Sequence, residues 1–408
     1  MSEPQTRGVL AKGLILVGIA TLVGNGAAYL LSMVAARALT PAQFGALGAL
    51  LGLLVIISTV ALSTQALTAR RVAVATTDRA SIEGEAIRLS VVVGATIVVG
   101  GLIVAWPLGS LFSIPPIAVA AGIASLGFTV VSSAALGIAQ GREQHVTFSW
   151  AFIFVQLGRA VGGIVGVLVL RNVEGVGFGV LVGCAFGAVI AYQMICPRTW
   201  GLKLSGDARN EFIHVVHALF VLFTLTNVDV LLARVFLTAD QSGEYAVGVL
   251  LAKIAFFLPN AIIIVLFPKM TSGNNRRAVL IATGLTACVG VAVTGFSLLF
   301  GNFVMRVLGG AQYSDLGSEA WLFALEGSAF ALVQVLLYAR LATQDKKAVI
   351  AVWVALVVLV VTVAGWRHNS VADIVTTVVA VSLVLTGVGL FMDRRSAPSM
   401  PIPVESAE

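Results

Sequence analysis

Four ionisable side chains stand in otherwise apolar sequence: Arg159, Asp229, Lys253 and Glu326. Each lies in an apolar run of about 20 residues, the length that crosses a bilayer. A charge at the bilayer centre costs about 2.5–3.5 kcal/mol on insertion scales, so it is kept for binding, for coupling or for an internal ion pair. Lys253, in LLAKIAFFLP, has two readings of equal weight. It anchors an anionic group such as a phosphate, or it forms a salt bridge with Asp229 at similar depth in the preceding span. A pair that opens and closes would couple binding to a conformational change. Arg159, with Gln156 one turn earlier on the same face, reads equally as a binding cation and as a structural partner within a glycine-rich stripe. Glu326 suits proton carriage, although pairing or facing water is the commoner use of such a group. Asn25 and Gln65 offer hydrogen bonds to a polar headgroup or, more commonly, to a neighbouring helix.

Other chemistry is scarce. Glu211, His214 and His217 share one helical face, but a clear fourth ligand is missing and no metal site is expected. Cys184, Cys196 and Cys288 lack motif spacing and read as small apolar fillers, implying neither a disulfide framework nor a zinc site. There is no GxxxxGK[ST] phosphate loop, no GxSxG elbow and no cysteine–histidine nucleophile pattern. These absences argue against a built-in ATPase, and no cofactor is expected beyond a coupling H+ or Na+.

The elements that must hold these residues are membrane spans. The 408 residues are 59% hydrophobic and 11% charged, with a mean hydropathy of +1.01, whereas soluble proteins carry about 25% charged residues. Twelve spans are predicted, at 13–36, 46–68, 89–110, 117–139, 148–170, 175–195, 212–236, 245–268, 278–300, 320–342, 348–366 and 372–391. The first reads as a retained helix rather than a signal peptide. The longest polar connections, 69–88 and 196–211, are too short to fold alone. With the N-terminus inside, 18 of the 25 Lys and Arg fall in cytoplasmic segments and five on the opposite side. That asymmetry is the positive-inside signature and places both termini in the cytoplasm. The net charge of +6 therefore reports topology, and no nucleic-acid partner is expected. All six Trp fall near span ends, as interfacial indoles do.

Two short stretches repeat 198 residues apart: LTPAQFG (39–45) and LTADQSG (237–243). Leu39, Thr40, Gln43 and Gly45 recur as Leu237, Thr238, Gln241 and Gly243. The offset holds six spans, so the halves enter the membrane in the same direction, as parallel repeats. The expected fold is an all-α polytopic membrane protein of about 12 helices, in two six-helix lobes around a central cavity. The lobes would comprise 1–200 and 201–391, followed by a cytoplasmic tail at 392–408. Gly158, Gly162 and Gly166 form one four-residue ladder; Gly175, Gly179, Gly183 and Gly187 form another. Both read as packing stripes, because lipid offers no hydrophobic drive for helix association. Pro259 is expected to kink the eighth span.

These motifs carry a resemblance. ARALTPAQFGALGALLGLLVIIS (36–58) resembles the first two helices of polysaccharide-type exporters of the multidrug/oligosaccharidyl-lipid/polysaccharide (MOP) superfamily, the group that includes O-antigen (Wzx-like) flippases. The family's loop between those helices is matched by Arg37, Leu39, Thr40, Pro41, Phe44 and Gly45. GIAQGREQH (137–145) is similar to the loop after its fourth helix, 227–270 to its seventh–eighth helix unit, and GGAQY (309–313) to the loop after its ninth. The resemblance implies two lobes forming a V, with a cavity lined mainly by the first, second, seventh and eighth helices. Asn25, Gln65, Asp229 and Lys253 would then line it. It implies a flippase that moves a polyprenyl-phosphate-linked saccharide across the bacterial plasma membrane for envelope polysaccharide synthesis, driven by an ion gradient or membrane potential. Its partners would be the lipid-linked substrate, membrane lipids and envelope assembly proteins. The alternatives are a drug/cation antiporter of the same fold, a membrane enzyme acting on lipid-linked sugars, which the short acid-poor outer loops disfavour, and a scaffold without transport.

Overall fold

Apolar sequence of span length folds as helix because lipid cannot satisfy exposed backbone N–H and C=O groups. The computed structural model describes residues 3–75, 79–195, 216–217, 219–259, 275–341 and 346–395, and no strand occurs among them. In the first half lie α1 (Glu3–Ala38), α2 (Pro41–Ile57), α3 (Thr59–Val74), α4 (Arg79–Leu111), α5 (Pro116–Gly141), α6 (His145–Leu170) and α7 (Val173–Ile195). In the second half, α8 (Leu219–Leu225) is followed by α9 (Val228–Phe236), α10 (Ala239–Phe257) and α11 (Asn275–Gly309). A 3-10 helix (Ala311–Ser318) then leads to α12 (Ala320–Leu341), α13 (Lys346–Gly365) and α14 (Val371–Arg395). Eight helices are long and apolar enough to cross a membrane, with α2 and α3 acting as one span, and two bent pairs add two more. With α10 and α13 the fold is an all-α membrane architecture of about twelve spans.

The repeated heptapeptides are matching helix starts. Thr40 accepts from Gln43 N (3.3 Å) while Gln43 Oε1 accepts from Thr40 N (3.2 Å). Thr238 and Gln241 make the same exchange at 3.3 Å each way. Each threonine and glutamine thus forms a capping box that satisfies orphan donors at the start of α2 or α10.

Two expectations are corrected. The polar connection 69–88 is mostly helical, because α3 runs to Val74 and α4 begins at Arg79. Arg71–Glu85 (3.3 Å) and Arg142–Glu83 ion pairs tie these charged ends down, so polarity there marks the lipid boundary and not a loop. The second and seventh spans are broken. The second is interrupted at Ser58, where Ser58 and Thr59 hydroxyls bond back to Val55 O (2.7 Å) and Ile56 O (2.8 Å). The seventh bends by 43° between α8 and α9, with Asn227 Nδ2 donating to Phe223 O (2.9 Å). In the eighth span α10 runs to Phe257, two residues before Pro259, and the expected kink there falls at the edge of the described residues. The remainder of that predicted span, 260–268, lies outside the described residues, as do the joint 196–211 and the tail from 396.

Most extensive packing stays within each half: α6 on α7, α4 on α5, and α5 on α7 and α3 in the first, α12 on α11, α10 and α14 in the second. The two glycine ladders face each other. A Cβ at Gly158, Gly162 or Gly166 would run into the carbonyl oxygen of Gly183, Gly179 or Gly175 respectively. In the second half Gly327 seats on the Ala252 backbone and Gly248 on the Phe323 ring. The main contact between halves is α2 against α9 and α10. There Gly48 meets Ala246, and Gly52 meets Val230.

Gly162→Val is expected to destabilise the protein by about 1–3 kcal/mol through overpacking, read as a lowered unfolding midpoint in detergent. Gly26→Val, which meets nothing within 4 Å, should leave that midpoint unchanged.

Candidate functional site: a buried charged cluster between α9, α10 and α12

The break before α9 puts Asp229 in the first turn of a nine-residue helix, where it is 1% exposed. Tyr245, wholly buried on α10, donates its hydroxyl to Asp229 Oδ2 at 3.1 Å. The Tyr245 ring packs edge-on against Phe323 (5.3 Å between centroids), which orients the hydroxyl. Glu326 follows Phe323 on α12, is buried and lies beside Asp229. Lys253, two turns beyond Tyr245 on α10, is an electrostatic neighbour of Asp229, Glu326 and Arg159. Three of the four intramembrane charges legible in the sequence thus meet inside the second lobe. The fourth, Arg159 on α6 in the first, is felt electrostatically at Lys253.

The proposed Asp229–Lys253 salt bridge is not formed. Ion pairs among the described residues include Arg71–Glu85, Arg142–Glu83 and Arg367–Asp373, and none joins Asp229 to Lys253. Tyr245 takes one oxygen of Asp229, and the lysine enters only through its field. Asp229 Oδ1, Glu326 Oε2 and Asn227 Oδ1 are buried without a hydrogen-bond partner. Among the described residues, every other buried side-chain oxygen in this condition except Tyr29 Oη also lies in the second half. Two carboxyl groups, one phenol donor and free oxygens at a broken helix are suited to a proton or a small cation.

The remaining predicted residues stand elsewhere. Gln65 Nε2 donates to Gln140 Oε1 (3.2 Å), a link between α3 and α5 within the first lobe. Asn25 is half-buried on α1, which packs on α6, and is not part of the charged cluster. Of the proposed histidine face, Glu211 and His214 lie outside the described residues, and His217 accepts from Trp353 Nε1 (3.1 Å). No group of metal ligands occurs among the described residues.

Sequence reasoning missed Tyr245 and Asn227. A tyrosine in an apolar helix reads as core, and only its proximity to Asp229 reveals a role. It also missed the Glu83–Arg142 pair, in which Arg142 Nε donates to Glu83 Oε1 (2.7 Å) and Nη1 to Ile195 O (3.0 Å), joining α4, α5 and α7.

No family model matches the sequence, and no curated protein does. Solved structures do. One described as an inward-facing multidrug resistance MATE family transporter of the MOP superfamily superposes with a TM-score of 0.76 at 14% identity, covering 90% of this chain and 93% of the other. An outward-facing MATE family transporter of the same superfamily gives 0.67 at 14% identity, with 95% of both chains covered. The lipid II flippase MurJ, in an inward closed conformation, gives 0.73 at 10% identity, covering 93% of this chain and 87% of MurJ. This chain shares the fold of these transporter structures. The sequence resemblance therefore holds at the level of that fold.

Tyr245→Phe is expected to cost about 1–3 kcal/mol, because it strands a second buried oxygen of Asp229. Glu83→Ala should cost about 1–3 kcal/mol by removing the carboxylate that holds the half-buried Arg142, which keeps only its bond to Ile195 O. Thermal unfolding of the purified protein measures both.

Proposed function

We propose that this chain is an exporter of the bacterial plasma membrane that moves a polyprenyl-phosphate-linked sugar or oligosaccharide from the inner to the outer leaflet by alternating access, for envelope polysaccharide synthesis. The observation that carries the reading is the placement of Lys253 and Arg159, one cation from each lobe within electrostatic reach of the other. Two like charges held in low dielectric repel, and an anionic phosphate between them removes that penalty. The adjoining Asp229–Glu326 pair would take the coupling H+ or Na+. Its charge acts on Lys253, so filling it alters how strongly the lysine holds an anion. The positive-inside distribution of Lys and Arg supports cytoplasmic termini and an inner entry side.

A second reading is a cation-coupled drug antiporter of the same fold. It draws on the same buried carboxylates, which would attract a cationic cargo directly, and on the scarcity of intramembrane cations compared with what a strongly anionic pyrophosphate needs.

Reconstitution in liposomes separates the two. With a fluorescent polyprenyl-phosphate-linked sugar, protected label should become accessible at a rate that rises with an imposed ion gradient. Lys253→Ala and Arg159→Ala should each slow this at least tenfold, since a charge-assisted hydrogen bond is worth about 1.5–3 kcal/mol. Asp229→Asn and Glu326→Gln should remove the response to the gradient. Saturable efflux of a soluble organic cation, without transfer of any lipid-linked sugar, would establish the antiporter instead.

A further inference from the structure

At the end carrying the two repeats, the lobes exchange arginines. Arg234, in the last turn of α9, reaches into the first lobe. Its Nε donates to Phe112 O (3.0 Å), Nη2 to Ser113 O (2.8 Å) and Nη1 to Ala42 O (3.3 Å). Nη1 is also held by Ser242 Oγ (2.9 Å) of its own lobe. Arg37, in the last turn of α1, reaches the opposite way, with Nη2 donating to Val307 O at 2.5 Å. Beside it Gln312 Nε2, from the 3-10 helix, donates to Ala36 O (2.7 Å).

The acceptors are equivalent in the two halves. Phe112 and Ser113 follow the last residue of α4, and Val307 lies in the last turn of α11; these helices are the third spans of their lobes. Each ends on a left-handed residue, Ser113 (φ +47°) or Gly310 (φ +99°). The last carbonyls of a helix lack intrahelical donors and carry the negative end of its dipole, so a cation is favoured there. Each arginine caps the other lobe's third helix. Between the caps, the repeated glycines are seated on the opposite helix start. A Cβ on Gly45 would overlap Ser242 Oγ, and one on Gly243 would overlap Pro41 O. Phe44 meets Tyr313 edge-on (6.3 Å) across the same boundary.

We propose that Arg37 and Arg234 are the gating residues of this end, forming a pair of exchanged helix caps that holds the lobes closed and must release once per transport cycle. This rests on the alternating-access reading above. The acceptors are backbone carbonyls at an exposed or half-buried end, not carboxylates. When the end opens, water replaces each arginine at the carbonyl and each carbonyl at the arginine, so release leaves no buried unpaired charge. The gate is also mechanically joined to the charged cluster. Asp229 and Arg234 sit on the same nine-residue helix, which the 43° break frees from α8.

The test measures distances across this end in a variant lacking the three native cysteines, with spin labels at Ser110→Cys and Ser318→Cys, exposed positions on opposite lobes. Pulsed electron–electron dipolar spectroscopy should show a dominant short separation. Arg234→Ala and Arg37→Ala should each lower the closed-to-open ratio about tenfold, the equilibrium weight of one hydrogen bond to a charged group. Arg234→Lys, a single point donor in place of a fork, should fall between. Gly45→Ala, which wedges the helix starts apart without removing a donor, should shift the ratio the same way and serves if an arginine variant does not fold. Unchanged distance distributions in the folded arginine and glycine variants overturn the gate. The readout involves no cargo, so failure of the transport reading shows separately, as absence of transfer by a wild-type protein whose distances still respond to these substitutions.

Discussion

Lipid gives helices no hydrophobic reason to associate, and the whole structure rests on how closely backbones can approach. Where α6 meets α7, glycine faces glycine along three successive turns, and any side chain would strike a carbonyl. The same device seats α12 on α10 at Gly327 and α2 on α10 at Gly45, Gly48 and Gly243. Close approach maximises dispersion contact, and each contact is lost steeply with separation. These seams therefore set helix positions, while the lipid-facing surfaces remain interchangeable apolar residues.

Rigid seams allow the second lobe to hold an unfavourable cluster. Asp229, Glu326 and Lys253 are held together although each acid leaves a buried oxygen without a partner, and Tyr245 donates to Asp229 alone. The Glu83–Arg142 pair in the first lobe is satisfied on both sides, as a structural ion pair should be. Unsatisfied polar atoms in one place and a satisfied ion pair in the other separate the candidate site from a structural staple. The break at Thr226–Asn227 contributes as well, because discontinuous helices expose polar backbone only where it lines a protected interior.

Function and gate share α9. Its first turn carries the acid of the cluster and its last turn carries the arginine that caps α4, about 7.5 Å further along the axis. This short helix packs against α2 and α10 and is bent by 43° from α8. In the proposed gate, a change of charge at Asp229 and a change of contact at Arg234 would act on the same helix. Among the described residues the cluster's side chains come from the second lobe, and Arg159 of the first acts on Lys253 through its field, so the lobes differ chemically while matching in fold.

Hydropathy alone determined the spans, since every apolar run of bilayer length must close its own hydrogen bonds. The repeated Leu-Thr-x-x-Gln-x-Gly determined two helix starts, because threonine and glutamine at that spacing satisfy each other's backbone. The glycine ladders were legible as stripes, and the four intramembrane charges were legible as costly. Partners were not. Whether Asp229 meets Lys253 or Tyr245, whether Gln65 faces a cavity or Gln140, and whether Arg37 and Arg234 are loop charges or caps for the opposite lobe depend on rotations between helices. Those rotations are fixed by backbone contacts between residues as far apart as Gly45 and Gly243, which local periodicity does not encode. The breaks at Ser58 and Asn227 escaped for the opposite reason: side chains that bond their own helix's backbone repair the interruption locally and leave the apolar pattern intact.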